Sequence, residues 1–170
     1  MKILILYSSI DGQTKKIAQF IAENLEGKVQ LQSLMSSLDL SEFDLIIIGA
    51  SIRYGHFDRD LYKFIEKQTA LLNSKNAVFF AVNLTARKAG KDTPETNVYT
   101  RKFLQRIQWK PKLVGVFAGA LFYPRYKWFD RIMIRFIMKV TGGETDPTKE
   151  IEYTDWEKVK AFCVMINSLP

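Results

Sequence analysis

Short apolar runs alternate with segments of helical hydrophobic spacing along most of this chain. The apolar runs predict strands at 3–7, 29–34, 45–49, 77–82 and 113–121. Between and after them, apolar residues recur every three or four positions, which predicts helices at 17–25, 60–72, 98–107 and 154–169. Continuous apolar runs are typical of parallel strands that are buried on both faces. The pattern therefore predicts an α/β fold, in which helices cover both faces of a five-stranded parallel sheet and the crossovers are right-handed.

Two connections in this pattern differ in length. The segment 35–43 is a polar connection between the second and third strands, whereas 122–150 places about thirty residues between the fifth strand and the last helix. The longer segment exceeds what a compact connection needs. We expect a single domain over 1–170 with a long insertion at about 122–150, after strand 5. The last helix is expected to begin at the capping-box pattern Thr154-Asp-Trp-Glu157.

Three loops follow the first, third and fourth predicted strands, at 8–14, 50–56 and 83–90. Ligands of doubly wound sheets bind beyond the carboxyl ends of the strands, so we expect these loops to surround a ligand. The first loop contains Ser9-x-Asp11-Gly12-x-Thr14 and leads directly into a helix. Backbone N–H groups at a helix N-terminus lack intrahelical partners and attract phosphate. The loop is neither a Walker A sequence nor a dinucleotide fingerprint, and we interpret it as an anion cradle.

The segment 122–150 carries an unusual helical pattern. Lys127, Arg131, Arg135 and Lys139 are spaced four residues apart and form one basic stripe, whereas most remaining positions from 128 to 140 are aromatic or aliphatic. Such a helix suits the surface of an anionic membrane, or a hydrophobic substrate whose carboxylates are bound by arginines. A helix packed against the fold or a second subunit is the structural alternative. Nucleic acid is not expected as a partner, because the basic residues lie among bulky aliphatic side chains.

The composition limits the partners, the metal sites and the membrane contacts that can be expected. The formal net charge is +7, so the surface favours anionic partners. Cys163 and His56 are the only residues of their types, so we expect neither an internal disulfide nor a Cys-rich or His-based metal site. The first apolar run is too short for a signal sequence, and no apolar run is long enough to span a bilayer. We therefore expect a cytoplasmic protein whose membrane contact, if any, is peripheral.

Several segments together carry a more specific resemblance. The first loop is similar to the hydroxyl-rich loop with which flavodoxins hold the phosphate of FMN, with Asp11 where a threonine is usual. We expect the Asp11 side chain to turn aside and accept loop N–H groups. Over nearly its whole length, the chain resembles the menaquinone-dependent protoporphyrinogen oxidases. The resemblance rests on residues 11–14, 48–56, 82–88, 93–97, 118–121, 123–126 and 141–146.

This resemblance implies a flavodoxin-like sheet of strand order 2-1-3-4-5 and FMN as cofactor. It implies oxidation of protoporphyrinogen IX to protoporphyrin IX at the cytoplasmic face of the inner membrane, with electrons passed to menaquinone or ubiquinone. By the resemblance, FMN would contact Ser9, Asp11, Gly12, Gln13, Thr14, Ser51, Ile52, Arg53, Tyr54, Gly55, Asn83, Leu84, Thr85, Ala86 and Arg87.

The residues expected to act on the flavin and the substrate follow from this arrangement. Tyr54 is expected to stack on the flavin, and Arg53 to stabilise a reduced flavin or bind an acidic substrate. Five basic residues are expected to contact substrate carboxylates or lipid headgroups: Arg125, Lys127, Arg131, Arg135 and Lys139. A soluble flavodoxin-type electron carrier and an NAD(P)H:quinone reductase are the competing functions. The positive charge argues against the carrier, because carriers of that kind are usually acidic.

Overall fold

A computed structural model describes residues 1–34 and 37–170. The predicted connection 35–43 begins with two residues, 35 and 36, that lie outside the described residues. The strands are β1 (Lys2–Ser8), β2 (Lys28–Ser33), β3 (Leu45–Ser51), β4 (Asn76–Asn83), β5 (Val114–Ala118), β6 (Ala120–Phe122) and β7 (Glu150–Glu152). The α-helices are α1 (Gln13–Glu23), α2 (Arg59–Ser74), α3 (Val98–Arg106), α4 (Trp128–Val140) and α5 (Trp156–Asn167).

The central sheet confirms the predicted architecture. Its order is β2-β1-β3-β4-β5, and all neighbouring strands are parallel. Alternate residues of β3 pack on opposite faces: Ile46 and Ile48 join the core beneath α2 and α3, whereas Leu45 and Ile47 join the core beneath α1 and α5. Both faces are therefore buried, which explains the uninterrupted apolar strands. Cys163 lies in the second core, where burial raises the pKa of its thiol to about 11.

The predicted fifth strand, 113–121, is wrong as a single strand. Residues 114–118 form β5, and the chain then leaves the central sheet at Gly119. The Gly119 N–H donates to the Asn83 carbonyl at 3.2 Å, and the Tyr153 N–H donates to the Gly119 carbonyl at 3.0 Å. β6 then pairs antiparallel with β7 in a separate two-stranded sheet. The apolar run continues through this change of direction because both pieces are largely buried.

The two ends of the segment 122–150 are held together by that small sheet. β6 ends at Phe122 and β7 begins at Glu150, so α4 and its flanking turns leave and re-enter the fold at one place. The segment is called the α4 segment below.

The start of the last helix also differs from the prediction. The N-cap is Asp155, whose carboxylate accepts the N–H groups of Glu157 at 3.1 Å and Lys158 at 3.2 Å. The Thr154 hydroxyl instead donates to the Ala118 carbonyl at 2.7 Å and accepts a hydrogen bond from Gln13. Either hydroxyl or carboxylate can cap a helix, and the tertiary contact with β5 decides which residue does so here.

Candidate functional site

A cleft of about 610 Å³ lies beyond the carboxyl ends of β1, β3 and β4. The three loops predicted to surround a ligand all contribute to it, and the inner side of α4 forms a further wall. Of the sequence-predicted cofactor residues, the cleft is lined by Ser9, Asp11, Gln13, Thr14, Ser51, Ile52, Arg53, Tyr54, Gly55, Asn83, Leu84, Thr85 and Arg87. Ala86 faces the opposite way and packs against Val116 and Ala118.

The first loop has the backbone geometry of an anion cradle. Gly12 is the N-cap of α1 and has φ +96°, a left-handed conformation that favours glycine, and the position of an added Cβ is open. The Ser9 hydroxyl accepts the Gly12 N–H at 3.1 Å. The Gln13 side chain donates to Glu152 of β7 and to Thr154, just after that strand. The Gln13 side chain is therefore already hydrogen-bonded, and its backbone N–H is the group available to an anion in this loop.

Thr14 carries an unsatisfied polar atom in this loop. Its side chain is 1% exposed and lines the cleft, yet no described residue hydrogen-bonds its Oγ1. A buried hydroxyl without a partner is destabilising unless a ligand satisfies it. The free hydroxyl and the open N-terminus of α1 fit a phosphate group, which brings several acceptor oxygens.

Asp11 does not accept loop N–H groups as expected from the sequence. Its carboxylate forms an ion pair with Arg53 from the loop after β3, and Arg53 also lies 3.7 Å from the Asp130 carboxylate in the first turn of α4. The ion pair with Arg53 is more favourable than hydrogen bonds to loop N–H groups, because both charged side chains are largely shielded from water. One guanidinium thus neutralises a carboxylate that would otherwise repel a phosphate, and it connects the first loop to α4.

A tight turn presents Tyr54 at the edge of the cleft. Arg53 and His56 pair with each other in a two-residue hairpin, and Tyr54 and Gly55 between them have φ values of 53° and 79°. Tyr54 is 40% exposed, and its hydroxyl donates to Asp130. Burial, followed by the contact with the Asp130 carboxylate, raises the pKa of the Tyr54 hydroxyl. The hydroxyl therefore stays protonated, and the ring is held beside the cleft from its outer end.

The loop after β4 is fixed from beneath by two buried amides. Asn83 and Asn97 exchange side-chain hydrogen bonds at 3.0 and 3.2 Å, and Asn83 also accepts the Ala86 N–H. Arg87 donates to the Leu84 carbonyl at 2.8 Å and to the Thr141 hydroxyl at 3.3 Å, just beyond the end of α4. The loop therefore supports one end of α4, as Arg53 supports the other.

The wall formed by α4 is apolar toward the cleft. Met133, Ile134, Ile137 and Met138 line it, and Ile134 and Met138 are also buried in a small core with Leu121, Phe122, Tyr123 and Tyr126. The opposite side of α4 is apolar as well and faces solvent, with exposures of 72% for Trp128, 65% for Phe136 and 71% for Val140. Exposed aromatic and aliphatic residues on consecutive turns form a patch that is unusual for a water-facing helix.

The five basic residues predicted for substrate or lipid lie outside the cleft. Arg125 pairs with Glu150 at 2.9 Å, Arg131 donates to the carbonyls of Tyr123 and Tyr126, and Arg135 donates to the Thr145 carbonyl. Lys127 and Lys139 are exposed. The three arginines brace the α4 segment, and the two lysines give its outer face positive charge.

Asp130, Thr141 and Lys88 are site residues that were not predicted from the sequence. The first two act through contacts with loops that are distant in sequence, so no local pattern could have found them. Lys88 lies within the predicted loop 83–90 but one residue beyond the expected cofactor residues, and it lines the cleft.

The described part of the chain contains no cluster of His, Cys, Asp or Glu that could hold a metal ion. No helix among the described residues is long and apolar enough to span a membrane.

Comparison with known proteins agrees with the fold. A flavodoxin-domain family model matches residues 4–148. The protoporphyrinogen IX dehydrogenase (quinone) of Leishmania major is 50% identical, over 99% of this chain and 76% of its own length. The Escherichia coli K12 protein of the same name is 49% identical, over 99% of this chain and 96% of its own. Oxidised flavodoxin 2 from Bacillus cereus superposes with a TM-score of 0.57 at 21% identity, covering 98% of this chain and 97% of its own, and it agrees in fold. The chain therefore belongs to the flavodoxin-domain family and, within it, to the protoporphyrinogen IX dehydrogenases (quinone), a family of oxidoreductases.

Proposed function

We propose that the protein binds FMN in the cleft and oxidises protoporphyrinogen IX to protoporphyrin IX, with a quinone as electron acceptor. The relationship to the dehydrogenases of that name, at about half identity over 99% of the chain, carries this proposal. The unsatisfied Thr14 hydroxyl and the open N-terminus of α1 support a phosphate-bearing cofactor.

The protein's own contribution is binding, orientation and electrostatics. The first loop would hold the FMN phosphate through the Thr14 hydroxyl and the backbone N–H groups at the start of α1. Arg53 offsets the charge of Asp11 beside that phosphate. The loops 51–55 and 83–87 would border the flavin ring. Bound FMN supplies two-electron transfer between the substrate and the quinone.

Removal of six electrons from the porphyrinogen releases six protons. Three quinones take up the six electrons and six protons and become three quinols. The apolar wall of α4 suits the large tetrapyrrole ring, and it also shields the reaction from water. Asp11 lines the cleft, but its carboxylate is paired with Arg53, and we propose that solvent at the open edge accepts the pyrrole protons.

Anaerobic turnover tests the reaction. FMN-loaded protein is mixed with protoporphyrinogen IX and menadione, and porphyrin fluorescence is followed with and without the quinone. We expect quinone-dependent porphyrin formation. A protein that binds FMN but reduces quinone only with NAD(P)H would be a quinone reductase, and one that only exchanges electrons with protein partners would be a carrier. A protein that binds no FMN would refute the cofactor assignment as well.

We further propose that the outer face of α4 rests on the anionic cytoplasmic surface of the inner membrane, as a peripheral contact. Its exposed aromatic side chains would enter the headgroup region, and Lys127, Arg135 and Lys139 would remain at the lipid phosphates. A quinone dissolved in lipid would then reach a cleft whose wall is the inner side of the same helix.

Vesicle flotation tests this contact. The double variant Trp128→Ser/Phe136→Ser should lose binding to vesicles that contain anionic lipid, and binding of the wild type should weaken with salt. Val164→Ser/Met165→Ser is the matched control, because these residues are also exposed apolar residues, of 61% and 53%, on a different helix. Equal loss in both double variants would contradict a specific role for α4. A change in mass on size exclusion, without loss of flotation, would instead assign the face to a second copy of the chain.

A further inference from the structure

Three cations line the cleft, and they differ in their partners. Arg53 is engaged by the carboxylates of Asp11 and Asp130. Arg87 donates only to neutral oxygens, and the exposed Lys88 side chain makes no hydrogen bond to the described residues. Within the part of the chain that the structure describes, neither Arg87 nor Lys88 has a carboxylate within ion-pair distance. Among the described residues, the cationic side chains of the cleft that lack a carboxylate partner therefore lie in the loop after β4.

Arg87 stands where the apolar wall of α4 ends, and Lys88 follows it in the same loop. The Arg87 guanidinium reaches Thr141, directly after the last turn of α4, and Met138 and Ile137 line the cleft in that turn. The partial negative charge of a helix C-terminus favours a cation at this place. The cleft thus offers an apolar surface that ends in a positively charged edge.

Arg87 is also held in position. The bond to the Leu84 carbonyl fixes it to its own loop, and the bond to Thr141 fixes it to α4. The side chain is half-buried, so an incoming anion would meet a guanidinium that has already lost much of its conformational freedom. Its remaining N–H groups are free to bind an oxygen anion in the part of the cleft next to the α4 wall.

We propose that Arg87 and Lys88 bind the carboxylates of the substrate and so set the orientation of its ring against α4. This inference rests on the proposed function, in which the substrate is a tetrapyrrole with an apolar ring and two carboxylates. Arg87 then serves the substrate in addition to bordering the cofactor. The basic residues of the α4 segment do not take this role, because they lie outside the cleft.

Equilibrium binding tests the assignment without turnover. FMN-loaded protein is titrated with protoporphyrin IX and with its dimethyl ester in the same detergent buffer, and binding is followed by porphyrin fluorescence. The wild type should bind the diacid about tenfold more tightly than the ester. Arg87→Met and Lys88→Met should each reduce that preference and leave the affinity for the ester unchanged. In turnover, both variants should raise KM with little change in kcat.

Two variants serve as matched controls. Arg101→Met removes an exposed arginine that also donates to a backbone carbonyl, that of Glu95, but lies outside the cleft. Lys91→Met removes an exposed lysine three residues from Lys88 that does not line the cleft. Both should keep the wild-type preference for the diacid. Lys88→Met also keeps the test decisive if Arg87→Met weakens the loop, because the Lys88 side chain makes no hydrogen bond to the described residues.

Three results would overturn the proposal. The first is equal affinity of the wild type for the diacid and the ester. The second is an equal loss of both ligands in Arg87→Met and Lys88→Met, which indicates a structural role. The third is release of FMN by Arg87→Met with the diacid preference intact, which assigns Arg87 to the cofactor alone. A retained diacid preference in a wild type that shows no quinone-dependent turnover would support this carboxylate site and refute the proposed reaction.

Discussion

Replacement of Thr14 by valine should shift the stability of the FMN-free protein and the affinity for FMN in opposite directions. Valine has nearly the same shape as threonine and fits the same place in the first turn of α1. The Oγ1 atom of Thr14 is buried and has no hydrogen-bond partner among the described residues. Thr14→Val therefore removes an unsatisfied polar group from the FMN-free protein and removes a donor from the FMN complex.

The expected magnitudes follow from the environment of that hydroxyl. An unsatisfied buried polar group costs about 1–3 kcal/mol, so the free energy of unfolding of the FMN-free variant should rise by about 1 kcal/mol or more. A hydrogen bond to a charged acceptor contributes about 1.5–3 kcal/mol, so the Kd for FMN should rise at least about tenfold. The two quantities are measured by urea unfolding of the FMN-free protein and by titration of FMN fluorescence.

Thr100→Val is the matched control. Thr100 is also a buried threonine near the start of a helix, but its hydroxyl donates to Asn97 at 3.0 Å. This control should lose about 1 kcal/mol of stability and keep the wild-type affinity for FMN. The role of Thr14 in binding the phosphate is refuted if Thr14→Val destabilises the FMN-free protein as Thr100→Val does, or if it binds FMN as tightly as the wild type.

Two further predictions concern charged groups around the site. Arg53→Ala should weaken FMN binding at least about tenfold, because it leaves the Asp11 carboxylate uncompensated beside the phosphate; adding Asp11→Asn to the same chain should restore most of the affinity, and no restoration would show that Arg53 acts by another route. Although burial opposes it, hydrogen bonds from Lys16, Trp156 and Gln13 lower the pKa of Glu152 from 4.5. Glu152→Gln should therefore reduce stability by about 0.5–1 kcal/mol at pH 7, and the difference from wild type should shrink as the pH falls below 4.5, in urea unfolding followed across pH.

The direction of that pH effect follows from proton binding. The folded state holds Glu152 ionised to lower pH than the unfolded state does, so its stabilising contribution is fully present above pH 4.5. The contribution disappears as the pH falls through the lowered pKa of the folded state. A difference between Glu152→Gln and wild type that stays constant down to pH 3 would contradict this explanation.

Most of the central sheet could be predicted from the sequence because the two cores impose a regular pattern. The run 45–49 is apolar at every position before Gly49, since its residues face α1 and α5 or α2 and α3 in turn. The break at Gly119 was not predictable, because β5 and β6 are both largely buried and the apolar run crosses the break without interruption. The local hydrophobic pattern indicates that a strand is buried, but it does not indicate which sheet the strand joins.

Some parts of the site could also be predicted from the sequence, and others could not. The first loop was predictable because its small residues and the following helix are adjacent in sequence. The partner of Asp11 was not, because Arg53 lies 42 residues away and reaches it only in the folded chain. Asp130 is a still more distant contributor, positioned by the return of the chain through β6 and α4. Long-range ion pairs of this kind depend on tertiary packing and leave no periodic signal.

The proposed reaction passes electrons from a porphyrinogen to a quinone. Under strict anaerobiosis, porphyrin formed and quinol formed can be counted in the same sample, by porphyrin absorbance and by chromatography of the quinone pool. The proposed reaction predicts three quinols for each protoporphyrin IX, with no porphyrin above the uncatalysed background when quinone is omitted. Porphyrin formation that proceeds without quinol, or a protein that leaves the porphyrinogen unchanged while fully loaded with FMN, would contradict it.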